Sequence, residues 1–194
     1  MNRFVLDEDP VAAAQMHCDK HVVKMILEEA QMLSTAHRVI DHFAILTHRP
    51  DGKRSRTEWV LRDNALDGLL YRSTHVNHPC SAWVRASSAN YDWARRLLRA
   101  LSDEYTYRYG REHAVRRSGL EAALSTPPSK IRVGPLTPHP LAMPDEHKQA
   151  SAVDSYRELY FEKKRRFAKW ERGRPAPSWY TERILAAREL GLAL

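Results

Sequence analysis

The side chains best suited to chemistry lie in one run, DKHVVKMILEEAQMLSTAHR, where His21, Lys24, Glu28, Gln31, Thr35 and Arg38 recur at steps of three and four. That spacing puts all six along one stripe of a helix. A carboxylate between a lysine and a histidine can act as a general base or stabilise developing positive charge. Glu28 is therefore the candidate catalytic carboxylate, with His21 and Lys24 to tune or position it. A solvated face held together by a Lys24–Glu28 ion pair would give the same stripe, and the sequence leaves both readings open.

His17 and His21 stand at i and i+4, the spacing of two metal ligands on one helical turn. With His78, and with Cys18, His75 and Cys80 nearby in type, they offer an alternative chemistry. A divalent metal such as zinc could activate water there for hydrolysis of a nucleotide or nucleic acid. The run lacks the intervening glutamate of the zinc-protease signature, and histidines packed against polar partners account for the same residues. The leading reading needs no cofactor. A second candidate segment, THVNHPCSAWVRASSANYDW, gathers His75, Asn77, His78, Trp83 and Arg85 around a proline-marked turn. Loops of this kind carry function when a rigid scaffold aims them, while Trp83 and Trp93 equally suit a core.

Near the C-terminus, YFEKKRRFAKWERGRPAPSWY interleaves Lys163, Lys164, Arg165, Arg166, Lys169, Arg172 and Arg174 with Tyr160, Phe161, Phe167 and Trp170. Basic groups neutralise phosphates and exposed aromatics stack on bases, so this is the composition of a nucleic-acid track. Arg3 and Arg38 are further candidates for phosphate contact, and Trp83 or Trp170 for filling the gap left by an extruded base. The opposing reading is an amphipathic helix whose aromatics face a core and whose lysines face water. A formal net charge of +7 favours polyanionic partners, with DNA expected first and RNA or a nucleotide next.

The elements that must position these groups are mostly helices. Asp9-Pro10 caps a short helix through Met16, after a possible strand over residues 2–6. Asp19 caps a long helix on which Val22, Met25, Ile26, Ala30, Leu33, Ala36 and Ile40 recur at helical spacing. HRPDGKRSR, residues 48–56, reads as an exposed loop. Pro79 opens another helix, Ser88 caps one running to Gly110 with Leu97, Leu98, Leu101 and Tyr105 inward, and a further helix lies near Glu121. Pro127-Pro128 forbids helix within STPPSKIRVGPLTPHPLAMP, which must be an ordered loop or a tether. Helices are expected again from Val153 to Trp170 and from Tyr180 to Leu190, on either side of the GRPAPSW break.

The predicted fold is mainly α, a compact helical bundle with a proline-rich loop. Its 194 residues, 43% hydrophobic and 28% charged, fit one domain over 1–194 with a basic aromatic segment at about 153–180. Two cysteines are too few for a disulfide scaffold, and no stretch is apolar enough for a signal peptide or membrane span. A cytoplasmic protein with no membrane partner is expected. Composition leaves the oligomeric state open.

The stretches FVLDEDP, CDKHVVKMILEEAQMLSTAHR, THVNHPCSAWVR and DEYTYRYG resemble a family of small phage and bacterial proteins across nearly the whole chain. A more distant likeness is to the phage pyrimidine-dimer DNA glycosylases, small basic helical enzymes that excise damaged bases and nick the abasic strand. It rests on Asp19, His21 and Glu28, which match their D-x-H-(x)6-E arrangement, and on the opening Met1-Asn2-Arg3. Leu27 and Gln31 stand where that family carries arginines. The resemblance implies an N-terminal amine that attacks the deoxyribose C1′ and passes through an imine, with Glu28 assisting. Methionine is retained before asparagine, so that amine would belong to Met1.

Overall fold

The computed structural model describes residues 3–48 and 56–191. Among them the chain is mainly α-helical: α1 (Pro10–Met16), α2 (Asp19–Asp41), α3 (Asn64–Leu69), α4 (Pro79–Val84), α5 (Ser88–Tyr109), α6 (Ala114–Arg117), α7 (Leu120–Ala123), α8 (Ala152–Lys164) and α9 (Ser178–Glu189). A 3-10 turn covers Asp145–His147. β1 (Ala44–His48) and β2 (Arg56–Val60) pair antiparallel, with Ala44 opposite Val60 and His48 opposite Arg56.

Helix α2 is the central element because it is apolar over most of its circumference. Val22, Met25, Ile26, Ala30, Met32, Leu33 and Ala36 are buried. Each large side chain removed from water this way contributes roughly 1.5–3 kcal/mol relative to exposure, so α2 is held by packing and not by propensity. Helix α5 lies against it with Leu97, Leu98, Leu101 and Tyr105 inward, as its periodicity predicts. Gly110 ends α5 in the left-handed conformation at φ 65°, the backbone a helix C-terminus reserves for glycine. One continuous apolar cluster runs from Phe4 through α2, α4, α5 and α8 to Tyr180.

The start of α2 is completed from far away in the chain. Cys18 precedes it without a side-chain cap. Its amide donates instead to the Tyr160 hydroxyl of α8 at 2.9 Å, and the Asp19 amide donates to the Lys169 carbonyl at 2.9 Å. The Asp19 carboxylate accepts from the Glu171 amide at 2.8 Å and from Arg108 at 3.0 Å. The first amides of a helix have no partner within it, so these bonds tie the C-terminal segment to α2.

Several expectations shift. Residues 3–6 join no sheet. Asp19 is the first helical residue and Ser87, not Ser88, is the cap of α5, its hydroxyl accepting from the Asn90 amide at 3.2 Å. The expected loop at 48–56 begins and ends in strand at His48 and Arg56, and its residues 49–55 lie outside the described ones. The two strands escape a reading based on the polar sequence between them. Helix α8 stops at Lys164, six residues before Trp170, where the chain turns to reach the start of α2.

The proline-rich stretch is an ordered loop. Its backbone accepts bonds at the start of α5, from Ser88 N to Arg132 O at 2.9 Å and from Ser87 Oγ to Pro135 O at 2.8 Å. Asn90 donates to Thr137 Oγ1 at 2.8 Å and accepts from the Thr137 amide at 2.9 Å.

Arg3 fastens the chain's beginning to α2. Its guanidinium makes two bonds to Glu29, at 2.8 and 2.6 Å, and lies 4.9 and 5.4 Å from the ring centroids of Trp83 and Trp93. Both partners are essentially inaccessible, at 1% and 0% side-chain exposure. Removing one partner strands the other's charge in a dry interior, so Arg3→Ala is expected to destabilise the fold by about 3–5 kcal/mol in urea unfolding. The paired change Arg3→Met with Glu29→Leu should recover much of that loss. A single-variant loss below about 1 kcal/mol, the scale of a surface pair, would contradict this role.

Candidate functional site

The polar stripe of α2 is not a solvated face. His21, Glu28, Thr35 and Arg38 are buried, at 4%, 9%, 0% and 3% exposure, whereas Lys24 is exposed and Gln31 half-buried. The stripe divides in two. Its second half, Thr35 and Arg38, anchors structure. Thr35 bonds the backbone of Thr74 in both directions, at 3.2 and 3.4 Å. Arg38 donates to the carbonyls of Tyr71, Trp59, Asp67 and Leu70 and to the Asp67 carboxylate, which fixes the hairpin and α3.

Its first half lines a pocket. His21, Lys24 and Glu28 share a cavity of about 190 Å³ with Phe4, residues 142–144, Leu159 and Lys164. That volume is well below that of a drug-sized ligand's site and suits one small group, such as a single sugar or base edge. Lys24 Nζ lies 3.1 Å from Glu28 Oε1. Opposite, Lys164 at the end of α8 places its ammonium 5.5 Å from the Phe4 ring centroid, and Lys20 lies 5.6 Å from that of Phe167. A larger hollow of about 490 Å³ beside α1 and α5 has most of its charges paired, Arg174 with Glu104 at 2.6 Å, Arg96 with Asp9 at 3.3 Å and Asp103 with Arg116 at 2.7 Å.

The histidines behind the pocket are neutral. Phe4 stacks on the His21 ring at 5.0 Å, and Tyr160 meets it edge-on at 5.0 Å. Burial, with the nearby charges of Lys164 and Lys24, pushes His21 down to about 3. Burial likewise pushes His17 down to about 4, against its bond to the Ala13 carbonyl at 2.7 Å. Burial also lowers the Lys164 pKa, helped by Lys24 and Arg166 and opposed by Glu28. His78 is lowered chiefly by burial, with the charge of Glu28 acting the other way.

The remaining candidates fall into three groups. Lys163, Arg165, Arg166, Lys169 and Arg172 are exposed, with Lys169 3.2 Å from Glu171 and Arg172 4.6 Å from the Tyr109 ring centroid. They form the basic surface beside Lys164. His75, Asn77, His78 and Arg85 sit on the turn before α4 and along it. His75 has φ 47°, and His78 Nδ1 accepts from the Cys80 amide at 3.2 Å. Met1 lies outside the described residues.

Four expectations are corrected. Arg3 and Arg38 do not face solvent, because each guanidinium is buried among partners inside the protein. Trp83 is core, 6% exposed, stacked on His139 at 4.5 Å and bonded through its indole to the Thr137 carbonyl at 3.2 Å. Trp170 packs on Tyr180 at 4.6 Å and donates to the Met16 carbonyl at 3.2 Å, so it is not a free stacking platform. The aromatics of α8 likewise face inward, Tyr160 at 0% and Phe161 at 8% exposure. Among the described residues, no group of three or more His, Cys, Asp or Glu side chains is placed to hold a metal ion.

Two contributors escape a reading by spacing. Phe4 forms a wall of the pocket, though in sequence it is one apolar residue near the start. Lys164 lines the pocket as well as belonging to the basic surface, which only the approach of α8 to α2 reveals. No helix among the described residues is long and apolar enough to cross a membrane. No protein-family model, curated protein or solved structure matches this chain.

The buried histidines make stability depend on pH. Unfolded, His17 and His21 take up protons near pH 6.5, whereas folded they do so only near 4 and 3. Over that interval the unfolded chain binds more protons, so stability is full above about pH 6.5 and declines as pH falls towards 4. Urea unfolding at about pH 7.5 and pH 5 should show the decline, flattened in His17→Asn. A His17 ring that titrates near 6.5 by NMR would contradict the burial argument.

Proposed function

We propose that this chain acts on nucleic acid, holding the phosphate backbone on its basic surface and using Glu28 to assist cleavage at a deoxyribose. The reaction is base excision with abasic-strand scission through an imine to an amine of the chain. The observation that carries this reading is the position of Glu28, a buried carboxylate in a small pocket flanked by Lys24 from its own helix and Lys164 from α8. Two features remote in sequence, the polar stripe and the basic segment, thereby meet at one place.

The chemistry follows from those groups. Lys24 and Lys164 bring positive charge to the pocket, Lys20, Arg165 and Arg166 are exposed nearby in the chain, and each phosphate neutralised releases counterions. The pocket admits one small group, so a nucleotide must leave the base stack to reach it, at a cost least for a damaged or missing base. Glu28 can then stabilise positive charge on the sugar or accept a proton from it. His21, neutral and clamped between Phe4 and Tyr160, holds one wall in place.

The test uses duplexes carrying an abasic site, a deaminated base or a pyrimidine dimer. The unaltered protein should cleave at least one of them. Glu28→Gln should lower that cleavage by about 10²–10⁴-fold, the usual contribution of a positioned acid or base, while salt-sensitive binding persists. Binding without cleavage of any substrate would leave a noncatalytic nucleic-acid binder and remove the enzymatic reading. Equal cleavage by Glu28→Gln would remove the carboxylate from it.

A further inference from the structure

We infer that the ε-amine of Lys164 is the nucleophile of this pocket, an assignment that rests on reading the pocket as a site of sugar chemistry. Lys164 closes α8 and lines the same cavity as Glu28 and His21. Its neighbours Lys163 and Arg165 are exposed, whereas Lys164 is half-buried with the Phe4 ring against its ammonium at 5.5 Å. The other lysine of the cavity is differently placed. Lys24 has a side chain 65% exposed and is paired with Glu28 at 3.1 Å. Among the described residues Lys164 forms no ion pair within 4.0 Å.

An attacking amine must be uncharged. Burial and the neighbouring charges of Lys24 and Arg166 lower the Lys164 pKa, with Glu28 acting the other way, a shift in the direction an attacking amine needs. Glu28 lines the same pocket and can take up protons as the reaction proceeds. The Phe4 wall exists because Arg3, the preceding residue, is bonded to Glu29 on α2.

The reaction balances without an oxidant or reductant. At an abasic site the opened sugar presents an aldehyde at C1′. The Lys164 nitrogen adds its lone pair to that carbon, and the carbonyl oxygen departs as water with the two hydrogens the amine gives up, leaving an imine. A proton then leaves C2′ for Glu28, and the C3′–oxygen bond breaks with its electron pair going to the phosphate. Water adds across the imine, releasing the sugar aldehyde and the free amine.

Borohydride trapping on abasic duplex tests the assignment, because hydride reduces the imine to a stable secondary amine. Digestion after glutamate should release an adduct on the fragment 163–171, and mass spectrometry should place it on Lys164. Lys164→Ala should lose the adduct. Lys164→Arg, which keeps the positive charge for phosphate attraction, should lose it too, with helical circular dichroism and Tm showing both variants folded. An adduct on the chain's first residue, or undiminished trapping by Lys164→Arg, overturns the assignment and leaves the reading of the pocket standing. Cleavage that depends on Glu28 but yields no adduct does the same. Neither adduct nor cleavage from the unaltered protein removes the pocket's chemistry and the role of Lys164 together.

Discussion

A guanidinium and a carboxylate sealed from water, Arg3 and Glu29, set the geometry on which the pocket depends. Taking both ions out of solvent is costly, and only a two-bond geometry with further partners offsets it. Here Trp83 and Trp93 present ring faces to the Arg3 cation. The result is directional in a way that apolar contact is not. Arg3 fixes where the chain begins its path, so Phe4 has one position available, against the His21 ring. Glu29 and Glu28 are consecutive, and helical geometry turns one inward to the anchor while the other lines the cavity.

The same division of labour runs along α2. Apolar side chains give it most of its stability, while polar ones determine what packs where. Arg38 gathers the hairpin and α3 through the carbonyls of Trp59, Asp67 and Leu70. Asp19 and the amide of Cys18 receive the C-terminal segment. Polar groups buried with full satisfaction specify a unique arrangement, because any alternative packing leaves one of them unpaired. The neutral histidines differ, since their burial is compatible with folding only while they carry no charge.

How much of this was legible in the sequence depends on whether the signal was local. Helices α1, α2, α5 and α8 could be located from caps, periodicity and the Gly110 stop, because those signals act within a few residues. The hairpin was not, since the sequence between its strands is charged and polar and its strands are five residues each. The grouping of His21, Lys24 and Glu28 was visible as helical spacing. Whether that group faced water was not, because the answer lies in Phe4, Leu159 and Lys164, which come from other elements. Arg3 and Arg38 show the opposite failure. Charge suggests exposure, and only the tertiary partners reveal an interior role.

The two ends of the described chain close on one another. Arg157 donates to the Leu6 carbonyl at 2.9 Å, Trp170 to that of Met16 at 3.2 Å, and Tyr160 receives Cys18. Helical proteins ordinarily fold fast because most of their pairings are between near neighbours, and these span well over a hundred positions. During synthesis on the ribosome, α2 must therefore wait with its first turn unfinished until some 140 later residues have emerged. A growing polypeptide of this kind carries no assembled pocket, and whatever chemistry the pocket performs is withheld until translation has passed α8.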